Sequence, residues 1–256
     1  MMKIVILGSG NVGTALCKLI AKTDHELVQV ISRNPDHARN LAAQYNVPSG
    51  TLTDAKFAVA DIYIIALSDL ALDTIEKITA LKNKFTVHTA GSVPASVLKN
   101  ISSSYGILYP LQSLSKALDD IPEIPFLVEG NNTETQYTIT EFARSLSGKV
   151  ITVTEHQRMY YHIAAVFAAN FTNHMFAIAE DICKKEKLDF NVLLPIINEV
   201  TARVNHYSPY DVQTGPALRD DIVTLNKHIQ GLSAFPDIKY LYLKLSESIL
   251  KFYQKR

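Results

Sequence analysis

An apolar run, Lys3-Ile-Val-Ile-Leu7, breaks into glycines at positions 8, 10 and 13, and the helix-forming stretch Thr14-Ala-Leu-Cys-Lys-Leu-Ile20 follows at once. A strand, a Gly-x-Gly-x-x-Gly turn and a helix in that order leave few options for the backbone. The first glycine permits the tight turn, the second lets a pyrophosphate approach the main chain, and the third lets helix and strand pack closely. Unpaired N–H groups at the helix start then face an anion. A second strand, Leu27 to Ser32, follows at the spacing of a βαβ unit. The loop Gly8–Gly13, including Asn11 and Val12, is therefore expected to bind a dinucleotide.

The tip of that second strand says which one. Sites selective for NAD carry an Asp or Glu about 20 residues after the motif, on the ribose 2′-hydroxyl. This chain has Val30-Ile-Ser-Arg-Asn34 there, with no carboxylate. A carboxylate would repel a 2′-phosphate, whereas Arg33 can grip it as a fork and Ser32 can offer a hydroxyl. NADP is the expected cofactor. The bland alternative is that Arg33 is a solvated turn residue before Pro35.

The chain has 256 residues, 47% of them hydrophobic and 20% charged, with 25 basic side chains against 25 acidic. No basic field exists to recruit nucleic acid or an anionic membrane surface. The two cysteines, Cys17 and Cys183, fall in helical stretches of different halves, which points away from a disulfide framework and toward a reducing cytoplasm. No charged lead and apolar signal region opens the sequence. The longest apolar stretch, Ile163 to Ala179, contains Asn170, Thr172, Asn173 and His174 and is too polar to span a membrane.

The first part alternates strand and helix, which implies an α/β, Rossmann-type, mostly parallel sheet. Helices are expected over Pro35–Tyr45, Asp69–Leu81 and about Thr133–Ser147, with another starting at Pro94. Strands are expected at Asp61–Leu67, Phe85–Thr89, Tyr105–Tyr109, Pro125–Val128 and Lys149–Thr154. From Glu155 onward the period is helical, interrupted by an irregular patch from Asn205 to Asp221. Helices resume over Ile222–Ile229 and from Ile238 to the terminus. Two domains are expected: an NADP-binding domain over 1–154 and an all-α domain over 155–256.

Ligands of an open parallel sheet sit beyond the carboxyl ends of its strands. Leu67 and Ser68 after one strand, and Thr89 and Gly91 after the next, should line ribose and nicotinamide. Asp69 and Ser92 in the same loops read as helix caps. On the helix from Glu155, residues Arg158, His162, Val166, Asn170, Asn173 and His174 share one stripe at about 100° per residue. That row is either a solvated face or a ligand-facing one. His162 and Asn170 are its candidate catalytic residues, because imidazole is the side chain suited to moving a proton near neutral pH. In the Thr214–Asp221 patch, Gly215-Pro216 is turn chemistry, Thr214 and Asp220 can act as local caps, and Arg219 is a candidate clamp for an anionic group. No histidine or cysteine spacing suits a metal site, and no Gly-x-Ser-x-Gly elbow is present.

The chain resembles the 6-phosphogluconate dehydrogenase and β-hydroxyacid dehydrogenase superfamily, and within it the small Rossmann-like NADP oxidoreductases. The resemblance spans nearly the whole chain. It rests on Gly8-Ser-Gly-Asn-Val-Gly13, His88-Thr-Ala-Gly-Ser92, Tyr109-Pro-Leu-Gln-Ser-Leu114, Tyr161-His-Ile-Ala-Ala165, Asn170 and Thr214-Gly-Pro-Ala-Leu-Arg219. The arrangement is also similar to pyrroline-5-carboxylate reductase and to deazaflavin-dependent NADP reductases. The resemblance implies a 6-phosphogluconate-dehydrogenase-like helical C-terminal domain that forms a homodimer and closes over the nicotinamide. β-Hydroxyacid dehydrogenases carry a lysine four residues before the central-helix asparagine. Here that position is Val166, so their alcohol-oxidation chemistry does not transfer.

The expectation is an NADP-dependent oxidoreductase acting on a small, anionic substrate in a cleft between domains, with no nucleic-acid or membrane partner. A non-catalytic NADP-binding sensor or partner-binding protein is the alternative. S-adenosylmethionine binding is a third, weakened by the missing acidic residue at the second strand's tip.

Overall fold

In the computed structural model, which describes residues 1–54, 56–117 and 120–254, eight strands form one sheet in the order β3-β2-β1-β4-β5-β6-β7-β8. The chain runs β1 (Lys3–Leu7), α1 (Asn11–Ile20), β2 (Glu26–Ser32), α2 (Pro35–Ala43), β3 (Ser49–Thr51), β4 (Ile62–Ile65) and α3 (Asp69–Leu72). It continues through β5 (Thr86–His88), β6 (Tyr105–Pro110), β7 (Phe126–Gly130), α4 (Thr133–Leu146) and β8 (Val150–Thr152). All pairings are parallel except β6 with β7. The first six positions reproduce the doubly wound order in which the chain reverses direction beside β1, and that reversal opens a crevice at the strand ends.

The central strands are apolar on both faces, as a sheet covered by helices requires. Ile4, Ile6, Ile62 and Ile64 enter one core with Leu16, Ile20, Phe142 and Ala143, while Val5, Leu7, Tyr63 and Ile65 enter the other with Leu72, Ile75, Leu81 and Leu98. This is period-two alternation with no polar face.

Two local expectations change. The helix expected over Asp69–Leu81 stops at Leu72 and gives way to 3₁₀ turns at Ile75–Lys77 and Thr79–Leu81. Leu72, Ile75, Ile78 and Leu81 are all buried, and that spacing of three is the 3₁₀ period. The Thr74 hydroxyl also donates to the Ala71 carbonyl at 3.3 Å, a side-chain bond that competes with helix continuation. The helix expected from Pro94 is a single 3₁₀ turn, Ala95–Leu98. Strand β3, polar and three residues long, has no periodicity to announce it and exists through its pairing with β2.

From Glu155 the chain is helical as expected: α5 (Glu155–Ala165), a π-helical segment Val166–Phe171, and α6 (Thr172–Lys185). By contacts the first compact unit runs from Met1 to Phe171, so α5 packs with the sheet, and the second runs from Thr172 onward. The second unit contains α6, α7 (Leu194–Arg203), α8 (Ile222–Gly231) and α9 (Pro236–Tyr253). Its irregular patch lies between α7 and α8, where the sequence places it. The last two residues of the expected final helix lie outside the described residues. Among the described residues, no helix is long and apolar enough to cross a membrane.

Candidate active site

The three glycines of the loop stand in different surroundings. Gly8 sits at φ +129°, and a Cβ there would lie 2.1 Å from the Ala66 carbonyl oxygen. A Cβ on Gly13 would lie 2.0 Å from the Gly8 carbonyl oxygen. Both positions are closed to any side chain. Gly10 is the opposite case, with nothing within 4 Å of where its Cβ would be. It caps α1 without a side-chain hydrogen bond, and the first turn of that helix has no acidic residue. The open space over Gly10 and the exposed N–H groups of α1 fit a pyrophosphate.

The groove beside this loop, about 780 Å³, is lined by Gly8, Ser9, Gly10, Ser32, Arg33, Asn34, Pro35, His37, Ala66, Leu67, Ser68 and Lys116. Arg33 is exposed, with no hydrogen-bond or ion-pair partner among the described residues. Its neighbour Asn34 is committed, since its Oδ1 caps α2 by accepting from the Asp36 and His37 N–H groups at 2.9 and 3.2 Å. Ser32 is buried, and its hydroxyl accepts from Ser9 at 2.8 Å, which leaves its own proton to donate. Lys116 is a second cation on the groove. Its backbone N–H donates to Asn11 Oδ1 at 3.1 Å, so Asn11 ties the loop around Lys116 to the glycine turn.

At the ends of β4 and β5 the structure corrects one expectation. Asp69 and Ser92 do not cap helices; Ser92 donates its hydroxyl to the Asp69 carboxylate, linking the two loops. The α3 N-cap is Ser68, without a side-chain bond. The Thr89 side chain is buried and turns back toward the Ile65 carbonyl at 3.5 Å. His88 is fully buried, with Nδ1 accepting from the Ala90 N–H and Nε2 donating to the Pro94 carbonyl, both at 3.2 Å. Burial pushes its pKa down to about 4, against the opposing pull of the Pro94 carbonyl, so the ring is neutral at pH 7.

Helix α5 docks on the loop after β5. It starts on a capping box, with Thr154 and Gln157 each bonding the other's backbone N–H. One turn later Arg158 is 0% exposed, and its Nη1 donates to the carbonyls of Ala90, Gly91 and Val93 at 3.2, 2.9 and 2.9 Å. Its Nη2 pairs with the Glu129 carboxylate on β7 at 3.5 Å. Burial raises the Glu129 pKa, and the Arg158 charge opposes that rise. Four residues on, on the same face of α5, His162 reaches the Tyr109 hydroxyl with Nδ1 at 2.8 Å. Both rings rest on Gly91, where a Cβ would lie 2.7 Å from His162 Nδ1 and 3.0 Å from Tyr109 Cζ.

His162 and Tyr109 line a pocket of about 390 Å³ together with Asn11, Val12, residues 110–114, Ala165, Val166, Ala168, Ala169 and Asn170. The structure therefore brings His162 and Asn170 to one pocket that begins at the glycine loop. Val166 opens the π-helical segment, whose wider turn carries Asn170 to the same pocket; single π turns recur at functional sites. Of the remaining polar row, Arg158 points into the protein rather than toward a ligand, and Asn173 and His174 are exposed.

Arg219 lies in the second unit, exposed, in the turn before α8. Asp221 is committed as the α8 N-cap, accepting from the Thr224 N–H at 3.0 Å and its hydroxyl at 2.7 Å, and these bonds hold its carboxyl below the ordinary range. It is Asp221, not Thr214 or Asp220, that supplies the cap. Gly215 takes φ +112°, a turn position only glycine tolerates easily. Among the described residues no group of histidines, cysteines and carboxylates could hold a metal ion.

Sequence reasoning passed over Tyr109, Lys116 and the anchoring role of Arg158. Tyr109 ends the expected strand Tyr105–Tyr109 and opens the Tyr109–Leu114 string, and neither placement marks its hydroxyl as a site group. Arg158 shares the helical stripe of His162 and reads as part of one polar face. Only their partners, far away in sequence, separate those roles.

Two family descriptions match the chain: "NADP oxidoreductase coenzyme F420-dependent" over residues 3–92, and "Domain of unknown function (DUF2520)" over residues 124–249. Among solved structures, a Bacteroides fragilis protein ascribed NADP oxidoreductase function is 37% identical, with 98% of each chain covered and a TM-score of 0.90. A reductive aminase from Aspergillus terreus, solved with NADPH, is 18% identical over 97% of this chain and 94% of that one, with a TM-score of 0.67. A 1-pyrroline-5-carboxylate reductase from Streptococcus pyogenes is 14% identical over 98% of each chain, with a TM-score of 0.60. The last two likenesses are of fold alone. No curated protein matches the sequence. With a Gly-x-Gly-x-x-Gly turn between β1 and α1 and a relative of this identity along nearly its full length, the chain belongs to the Rossmann-type NADP oxidoreductases, and NADP is its cofactor.

Proposed function

We propose that this protein transfers a hydride between NADP(H) and a small substrate bound in the pocket of His162 and Asn170. Bound NADPH supplies the hydride; the chain supplies orientation and the proton. Gly8, Gly10, Val12 and Gly13 hold the pyrophosphate, Ser32 and Arg33 the 2′-phosphate, and Leu67, Ser68, Thr89 and Gly91 the ribose and nicotinamide. His162 moves the proton and Asn170 orients the reacting group, while the exposed Arg219 of the second unit is the candidate clamp for an anionic group. The observation that carries this reading is the continuity of the pocket: Asn11 and Val12 of the glycine loop line the same space as His162 and Asn170. An acid–base group beside the cofactor loop is what a reductase needs and what a purely structural helix does not.

The deciding experiment is calorimetric titration with NADPH, NADH and S-adenosylmethionine, followed by the loss of NADPH absorbance against small imines, aldehydes and keto acids. Tight NADPH binding with turnover of one class supports the reading. NADPH binding without turnover of any class turns it into the sensor alternative, and tighter S-adenosylmethionine binding ends it.

The second unit supports a homodimer. Cys183, Ala217 and Leu225 are its buried apolar residues among those described, while Val192, Ile196, Val200 and Val204 recur every four residues from the 3₁₀ turn before α7 (Phe190–Leu193) to the residue that follows α7, at 74%, 60%, 51% and 54% exposure. An apolar stripe of that length on a unit with so small a core calls for a partner, here a second copy of the chain. Ile196→Lys should shift the sedimentation coefficient from dimer to monomer; a monomeric wild type would end the idea. Both cysteines are free thiols, which suits a reducing cytoplasm.

A further inference from the structure

Among the described residues, the side-chain hydrogen bond to the pocket-facing imidazole comes from the Tyr109 hydroxyl, to which the proposed reaction gives no role. It lies 2.8 Å from His162 Nδ1, with the rings 5.7 Å apart between centroids and nearly perpendicular at 73°. The bare Cα of Gly91 supports both rings, and Arg158 clamps that same loop through its Ala90, Gly91 and Val93 carbonyls. A contact held from three sides serves geometry, not bulk packing. We infer that Tyr109 and His162 form a proton relay in which Tyr109 donates to Nδ1, fixes His162 in the Nε2–H tautomer, and replaces the proton that Nε2 gives to the substrate.

The step balances, resting on the proposed hydride transfer. When hydride reaches a C=O or C=N carbon, the substrate heteroatom takes the bond pair. The His162 Nε2–H bond breaks and its proton bonds that heteroatom. The Tyr109 O–H bond breaks, its proton bonds Nδ1, and the electron pair stays on the phenolate oxygen until solvent returns a proton. The imidazole ends neutral, as it began, in its other tautomer. The charged groups bearing on Tyr109 are Arg158 and Asp69. Burial raises the Tyr109 pKa, and Asp69 adds to that rise, so the hydroxyl holds its proton at pH 7. Arg158 works in the other direction and favours the transient phenolate. His88 cannot serve in its place, because both of its ring nitrogens are bonded to the backbone.

The test needs no substrate. Protein labelled with ¹⁵N-histidine is studied by long-range ¹H–¹⁵N correlation at pH 8, with the His162 signals assigned by their loss in His162→Gln. The expected result is a pyrrole-type Nε2 and a pyridine-type Nδ1 in the wild type, with averaging of the two in Tyr109→Phe. A pyrrole-type Nδ1 in the wild type, or a spectrum that Tyr109→Phe leaves unchanged, overturns the relay. Calorimetry of NADPH on the same two proteins keeps the questions apart. If neither binds NADPH, the oxidoreductase reading fails whatever the tautomer shows. If both bind equally while the tautomer differs, the effect is on the relay and not on a misfolded site.

Discussion

Arg158 Nη1 donates to the Gly91 carbonyl oxygen at 2.9 Å, and the opposite side of Gly91 carries the His162 ring against its bare Cα. A buried guanidinium thus fixes the height of the floor on which the imidazole rests. Arg158 and His162 stand on one face of α5, one turn apart.

Removing that guanidinium should cost more than an ordinary core change. Arg158→Met leaves three carbonyls without their donor and the Glu129 carboxylate without its ion-pair partner. Losing one partner of a buried charged network typically costs about 3–5 kcal/mol. Urea unfolding is expected to show a loss of that order for Arg158→Met, and a loss below about 1 kcal/mol, the scale of a single ordinary hydrogen bond, would mean the contacts are not made.

The glycines should separate folding from cofactor binding. Gly13→Ala drives a Cβ into a backbone oxygen and is expected to destabilise strongly, in the upper range for point substitutions, about 3 kcal/mol or more. Gly10→Ala meets only open space at φ −81°, so its melting temperature should stay near wild type while NADPH affinity collapses. Equal NADPH affinity in Gly10→Ala and wild type would move the pyrophosphate elsewhere.

Arg33 and Lys116 line one groove and should differ in what they read. Arg33→Ala is expected to weaken NADPH by roughly 2 kcal/mol, the scale of a charge-assisted hydrogen bond, and to leave NADH nearly unchanged. Lys116→Ala should weaken both nucleotides if the lysine meets the shared pyrophosphate. Calorimetry with the two nucleotides reads out each case.

His88 gives the fold an acid-side weakness. A base whose folded pKa lies near 4, below its ordinary 6.5, binds its proton more readily in the unfolded chain. The associated stability is whole above pH 6.5 and is lost as pH falls toward 4, about 3 kcal/mol in all. His88→Gln can keep both backbone bonds without titrating. The difference in unfolding free energy between pH 7.5 and pH 4.5 should shrink accordingly in that variant, and an unchanged difference would assign the acid sensitivity to another group.

Much of this was open to a reader of the sequence, for a local reason. A strand apolar at every position, a turn that only glycines can make and a helix without a side-chain cap are short-range properties. The mostly parallel sheet follows from them because parallel crossovers have few allowed paths; β3 and the strand order do not. The expectation of a 2′-phosphate is local too, since it is read from Ser32 and Arg33 at the end of β2. Tertiary structure decided the remainder. Tyr109 and His162 are separated by 53 positions and meet because β6 ends where the second turn of α5 passes. Arg158 and His162 share a helix stripe, yet one is sealed against three carbonyls and the other faces a pocket, a distinction set by what lies across from each. The π-helical turn that brings Asn170 beside His162 leaves no mark in a 3.6-residue pattern, because it is a change in that very period. The glycine turn is a property of local sequence; the contact between Tyr109 and His162 is a property of packing across the sheet's carboxyl edge.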